Sequence, residues 1–277
     1  MRRKKKQKNK RRARDLINGN KQIEIAIIAT MSSGKSTLIN AMIGKEILPS
    51  KNEACTATIM RIKHNPKEEE FKITQENEER VSKKVTEIEL TQLNENPELI
   101  EIALEGKIHG LQAAHQITLI DTPGPNNSLN QTHKKITYEF LYKNPEIIIL
   151  FVLDGTKILT DDEDYLLDSM IELTKKGNSF RESHFIFVIN KSDVFREKDN
   201  MNSIKTNVHK KLQEKGFNKP QIIFAAAEAA LLERKKSLTL DEEDILELIK
   251  LRIAKKRFHI NSYSTFSKEV VQKIETM

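Results

Sequence analysis

Short apolar runs alternate with polar turns along most of the chain. Ile23 to Ala29 is a β-branched run that reads as a buried parallel strand, and a Gly/Ser-rich turn follows it. From Lys35 to about Ile43 the apolar positions Leu38, Ile39 and Met42 share one helical face, with Gly44 as the stop. Residues 45–56 lose this periodicity and contain Pro49, which predicts a loop. Ala57 to Ile62 predicts a strand and Phe71 to Thr74 a weaker one. Pro66 to about Asn96 is polar enough to read as a partly helical surface insertion. Five more strands are expected: an alternating stretch from Leu99, then Gln116 to Ile120, Ile147 to Leu153, His184 to Ile189 and Ile222 to Ala225. Before His184, Thr160-Asp-Asp-Glu163 has the form of a capping box that opens a helix.

Strands alternating with helices of this length predict an α/β fold, a mostly parallel sheet with helices on both faces. The pattern changes from Thr239. Thr239 and Glu242 form a second capping box, and Ile245, Leu248, Ile249 and Arg252 begin an amphipathic helix; Phe266 to Ile274 is helical again. Three regions are therefore expected: a basic tail over 1–20, a folded body over 21–235 and a helical extension over 236–277.

Charge sharpens this division. The net charge is +7, yet ten Lys or Arg and no acid lie between residues 2 and 14. Without them 37 basic residues face 40 acidic ones, a net of −3, so the basicity belongs to the tail. Such a run is drawn to phosphate-rich surfaces, an anionic membrane or nucleic acid, or serves only as a solubilising extension. The longest apolar run, Ile147 to Leu153, is far short of the roughly 20 residues that span a bilayer, so no transmembrane segment is expected. No secretory pattern is visible, and the single cysteine, Cys55, suits a reducing cytoplasm. The seven histidines lack metal-ligand spacing, and no structural zinc is expected.

The turn after the first strand carries candidate chemistry. Ala29-Thr-Met-Ser-Ser-Gly-Lys-Ser36 follows the pattern G-x-x-x-x-G-K-[ST] except at its first position. Met31, Ser32, Ser33, Gly34, Lys35, Ser36 and Thr37 are thus expected to line a phosphate site. Gly34 allows close backbone approach, Lys35 sets a point charge on the outer phosphates, and the Ser36 hydroxyl coordinates Mg²⁺. If position 29 requires positive φ, alanine there costs about 1–2 kcal/mol; otherwise the change is harmless.

Two further motifs end predicted strands. Asp121-Thr-Pro-Gly124 follows Gln116 to Ile120; Asp121 is expected to hold Mg²⁺ through water, and the Gly124 amide to reach the γ-phosphate. Asn190-Lys191-Ser192-Asp193 follows the last buried hydrophobic run before residue 190. An ionised Asp193 can accept from the N1–H and N2 amino donors of guanine, whereas adenine would oppose it with a lone pair. Asn190 would brace the loop and meet the base, and the stem of Lys191 would lie along the purine plane. Strand-end placement of all three motifs puts them on one rim of a P-loop, GTPase-type sheet.

These motifs carry a family resemblance. Ser32-Ser-Gly-Lys-Ser-Thr-Leu-Ile-Asn-Ala, Gly44 to Pro49, Cys55-Thr-Ala-Thr and Leu119-Ile-Asp-Thr-Pro-Gly-Pro-Asn resemble the dynamin superfamily, particularly its bacterial members, over roughly residues 22–235. The resemblance implies that Thr56 is a switch threonine contacting Mg²⁺ and the γ-phosphate, and that Ser32 stabilises charge between the phosphates. It also implies that the stretch after the last strand, with Ala226 and Ala227, forms the guanine-contacting loop, with Ala226 where a serine is common. Ser32, Lys35 and Thr56 are then the catalytic candidates. Met31 stands where eukaryotic relatives carry a water-orienting glutamine, and Pro125 leaves no such residue after Asp-x-x-Gly.

The expectation is a Mg²⁺-dependent GTPase that turns GTP into GDP and phosphate, slow alone, with a homodimer face across the nucleotide completing the site. A dynamin-like, cytoplasmic protein peripheral at the membrane is one role. A nucleic-acid- or ribosome-associated GTPase and a GTP-gated scaffold with little hydrolysis are the others.

Overall fold

A computed structural model describes residues 22–49, 58–74, 85–94, 96, 99–109, 111, 116–124, 131–158, 160–175, 182–195 and 200–234. The expected basic tail over 1–20, the helical extension over 236–277, Cys55, Thr56 and Pro125 lie outside them.

The β-branched run at the start forms strand β1 (Ile23–Ala29), and helix α1 (Lys35–Ile43) follows the turn. Gly44, at φ 84°, ends α1 by returning its amide to the Asn40 carbonyl, a conformation that glycine adopts without strain. Then come β2 (Ile59–His64), β3 (Lys72–Ile73), α2 (Glu87–Asn94), β4 (Glu101–Gly106), β5 (Ile117–Asp121) and α3 (Gln131–Lys143). After them β6 (Ile148–Asp154), α4 (Asp161–Lys175), β7 (Phe185–Asn190), α5 (Met201–Glu214), β8 (Gln221–Phe224) and α6 (Ala227–Leu232) complete the described elements.

The eight strands form one sheet in the order β3-β4-β2-β5-β1-β6-β7-β8. β1 pairs in parallel with both β5 and β6, and β6–β7, β7–β8 and β2–β4 are parallel too. β2 runs antiparallel to β5, and β3 antiparallel to β4, so the sheet is parallel except at the β2–β5 junction, where the side wing β3-β4-β2 joins it, and at its β3 edge. The period-2 alternation along β1 divides the core. Ile25, Ile27 and Ala29 join α1 and α6 on one face, while Ala26 and Ile28 join residues of α3, α4 and α5 on the other. The apolar face read from α1 is real: Leu38, Ile39 and Met42 are all buried.

The polar stretch over 66–96 is less peripheral than its composition suggests. Phe71, Val85 and Leu90 are buried in the core beside α1, and Phe71 packs where any side chain on Gly106 would stand, about 2.6 Å from the ring. Here α2 opens with a reciprocal cap: the Glu89 amide donates to Thr86 Oγ1 at 3.3 Å and the Thr86 amide to Glu89 Oε2 at 3.1 Å. Among the described helices α3, α5 and α6 lacked a prediction, α6 lying where a loop was expected. In α5 the signal is present as Asn200, whose side chain accepts from the amides of Asn202 and Ser203, followed by buried Val208 and Leu212.

Candidate functional site

Five strand-end or turn segments meet at the rim where β1, β5, β6, β7 and β8 finish. The loop Thr30–Gly34 is held in shape by its own polar groups. Ser33 is fully buried, and its Oγ donates to the Thr30 carbonyl at 2.8 Å. Ser32 at φ 64° and Gly34 at φ 82° both take left-handed backbone, which costs a non-glycine residue about 1–2 kcal/mol. At Gly34 a Cβ would also stand 2.6 Å from Asn190 Nδ2, so position 34 demands glycine twice over. Ala29 is not among the described non-glycine residues with positive φ, so alanine at the first motif position is unstrained.

Helix α1 starts at Lys35 with Gly34 as its N-cap and no side-chain cap. The first-turn amides of Lys35, Ser36 and Thr37 therefore present the positive end of the helix at the loop. Lys35 forms an ion pair with Asp121, which is the last residue of β5 and 1% exposed. Asp121 sits opposite Ile27 of β1 and Met60 of β2 in register. Thr122 anchors the following turn through its Oγ1, which donates to the Ile27 carbonyl at 2.9 Å, and Thr137 Oγ1 donates to the Pro123 carbonyl at 2.9 Å. Among the described residues nothing stands within 4 Å of where a Cβ on Gly124 would be. Met31 is 69% exposed on the outer side of the loop.

Asn190 ends β7 and is buried. Its Nδ2 donates to the Ser33 carbonyl at 3.0 Å, and its Oδ1 accepts the Ala227 amide at 3.2 Å. One side chain thus fastens the phosphate-type loop to the start of α6. Lys191, at φ 58°, reaches the Ser32 carbonyl at 2.7 Å and Asp154 Oδ2 at 2.8 Å. Asp193 is half-buried on the 3-10 turn Ser192–Val194, which Ser192 fixes by donating from both its amide and its Oγ to the Ala225 carbonyl. Ala226 and Ala227 are buried at the N-terminus of α6, whose side packs with α1 in the same core.

Residues 29–37, 121–124, 190–193 and 226–227 are thereby linked by direct contacts or by chain neighbours. Sequence reading missed Asp154, Gly155, Thr156 and Glu163. Asp154 closes β6 beside Asn190 in register, and its Oδ1 accepts from the Thr156 amide at 2.9 Å and from Thr156 Oγ1 at 2.6 Å. Burial acts to raise the Asp154 carboxyl, but hydrogen bonds from Lys191 and Thr156 outweigh it and hold the group below its ordinary value. The buried Glu163 of α4 accepts the Asp154 amide at 2.8 Å. A strand-end aspartate at the same rim as Asp121 and Asn190 was the available signal. What it would pair with is a long-range fact.

The donor chemistry fits magnesium. Ser36 and Asp121 offer hard oxygen ligands, a sparse protein set of the kind Mg²⁺ takes when phosphates supply the rest. Asp121 already accepts a cationic partner in Lys35. Among the described residues no cluster of three or more His, Cys, Asp or Glu forms a metal cage.

Comparison with known proteins agrees with this geometry. Residues 25–192 match the model of the Dynamin family. A Caldicellulosiruptor protein from the xynA 3′ region, itself uncharacterised, is 30% identical over 203 residues, covering 69% of this chain and 46% of that one. A probable transmembrane GTPase, FZO-like and chloroplastic, from Arabidopsis thaliana is 26% identical over 229 residues, 81% of this chain and 21% of its own. The chain thus spans less than half the length of these curated relatives. A solved chain from an oligomerised bacterial dynamin pair, described as sensing and tethering membranes, shares the fold with TM-score 0.55 at 17% identity. It matches 92% of this chain and 42% of that one. With a P-loop-type turn, the strand-end Asp121 and the Asn190 loop on one rim of a mostly parallel sheet, the chain belongs to the dynamin family and carries its P-loop GTPase fold.

Proposed function

We propose that this protein binds GTP at the rim built from Thr30–Thr37, Asp121–Gly124, Asn190–Asp193 and Ala226–Ala227, and hydrolyses it to GDP and phosphate. The observation that carries this reading is the Asn190 side chain, which joins the Ser33 carbonyl to the Ala227 amide and so couples phosphate and base segments. The α1 amides and Lys35 hold the phosphates, with Lys35 exchanging Asp121 for phosphate oxygen. Asp193 accepts from the guanine N1–H and N2 amino groups, and the Lys191 stem covers the purine face. The backbone near Ala226 and Ala227 closes the base edge.

Ser36, Asp121 and Thr56 are the residues that would hold magnesium. When bound, the ion neutralises charge on the phosphate oxygens during in-line displacement. Ser32, Lys35 and the loop amides stabilise the charge that develops as water attacks the γ-phosphate, and backbone near Thr56 orients that water. Met31 offers only a weak thioether acceptor, so turnover is slow until a second protomer across the nucleotide face completes the site. A cytoplasmic protein peripheral at a membrane follows, with residues 2–14 attracted to anionic lipid. Among the described residues no helix is long and apolar enough to cross a bilayer.

Phosphate release with GTP, competed by ATP, tests the core of the reading. Preference for GTP and loss of turnover in Lys35→Ala are expected; equal competition by ATP overturns the base assignment. Light scattering with GDP, GTP and a transition-state mimic tests dimerisation. Sedimentation with anionic vesicles against nucleic-acid retardation, with and without residues 2–14, separates the two phosphate-rich partners.

A further inference from the structure

Asp154 stands outside the three motifs, yet its carboxylate is held by the Lys191 ammonium, the Thr156 amide and the Thr156 hydroxyl. It is 4% exposed at the end of β6. One oxygen takes Lys191 Nζ at 2.8 Å, and the other takes the Thr156 amide and hydroxyl at 2.9 and 2.6 Å. Its own amide is fixed by the buried Glu163 at 2.8 Å, and the next amide, that of Gly155, donates to the Asn190 carbonyl at 2.9 Å. The backbone that carries the carboxylate is thus pinned to α4 and to the end of β7, and any swing of the carboxylate itself would break its bonds to Lys191 and Thr156.

Lys191 is the mobile partner in this arrangement. A lysine side chain is rich in rotamers, and this one is a third exposed. Held between Asp154 and the Ser32 carbonyl, its aliphatic stem has one path, from the base loop across to the phosphate loop. An interaction that orders a binding side chain before the ligand arrives strengthens binding chiefly by slowing release.

We propose that Asp154 is a positioning residue for guanine-nucleotide binding, holding Lys191 against the Ser32 carbonyl so that the base and phosphate loops retain the nucleotide as one unit. This rests on the nucleotide reading above. Asp154 touches neither phosphate nor base and takes no part in the chemical step.

The test is release of a fluorescent GDP analogue from the full chain, followed by stopped flow after mixing with excess GDP. Asp154→Ala is expected to speed release about tenfold. Asp154→Asn, which keeps a neutral acceptor for Lys191, is expected to recover part of that loss. In a Lys191→Met background, which keeps the stem but removes the ammonium, Asp154→Ala should change release less than twofold. In steady state KM for GTP rises while kcat stays level. Release unchanged by Asp154→Ala, or accelerated equally in the Lys191→Met background, overturns the proposal; the second result would mark a general loosening of the fold. If the wild-type chain fails to bind the analogue at all, the guanine-nucleotide reading falls and this inference with it.

Discussion

The Nδ2 group of Asn190 lies 3.0 Å from the carbonyl oxygen of Ser33, joining residues 157 positions apart in sequence. Both groups are buried, and the same side chain satisfies the Ala227 amide through its oxygen. Asn190→Ala would strand a buried carbonyl and a buried amide. A stability loss of about 1–3 kcal/mol is expected in urea unfolding, together with weaker GDP binding. Unchanged stability would mean that both groups find other partners.

Asp193 is expected to set base choice. Replacing it with Asn leaves one acceptor and introduces a donor, which clashes with the guanine N2 amino group and suits the xanthine O2 carbonyl. Asp193→Asn should weaken GTP binding by at least about 100-fold and favour XTP in direct competition. An unaltered GTP-to-XTP preference would remove Asp193 from the base site.

Gly155 has no room for a methyl group. A Cβ there would lie 2.4 Å from the Asn190 carbonyl oxygen and 3.1 Å from the Phe195 ring. Because the obstacle is backbone, Gly155→Ala should displace the base loop, at a cost of about 1–3 kcal/mol in thermal or urea unfolding. Gly124→Ala meets nothing within 4 Å among the described residues and serves as the spatial comparison.

Asp154 makes stability depend on acid pH. Burial favours its neutral form, yet Lys191 and Thr156 hold its folded carboxyl below the ordinary value. The ionised group therefore contributes stability above an unfolded pKa of about 3.9, and that contribution fades as pH falls through the lower folded value. The groups facing it are the Lys191 ammonium and the Thr156 amide and hydroxyl, with Glu163 on its amide. Melting of wild type and Asp154→Asn across pH 3–7 should show a Tm gap that narrows below about pH 4. A gap constant with pH would place the difference outside the ionised pair.

Local spacing made much of the fold readable. β7 is apolar from Phe185 to Ile189, β1 is apolar but for Glu24 near its start, and the face of α1 repeats at the helical period, because burial on a sheet imposes those patterns directly. The wing was harder. Phe71 and Leu90 lie in a stretch dominated by charge, yet both are buried, since two well-placed apolar residues suffice to dock a short strand and a short helix. Glu163 was expected to close a local cap, and its buried oxygen accepts the amide of Asp154 on a different element.

Sequence alone determined the strand–turn–helix context of Ser33 to Ser36, the strand-end positions of Asp121 and Asn190, and the two-sided character of β1. Each follows from the identity of near neighbours, whose spacing fixes periodicity and backbone freedom. Tertiary structure decided that β2 runs antiparallel to β5, that Lys35 meets Asp121, and that Lys191 bridges Ser32 and Asp154. Those relationships arise only when the sheet closes, because strand order brings together residues that no local spacing relates.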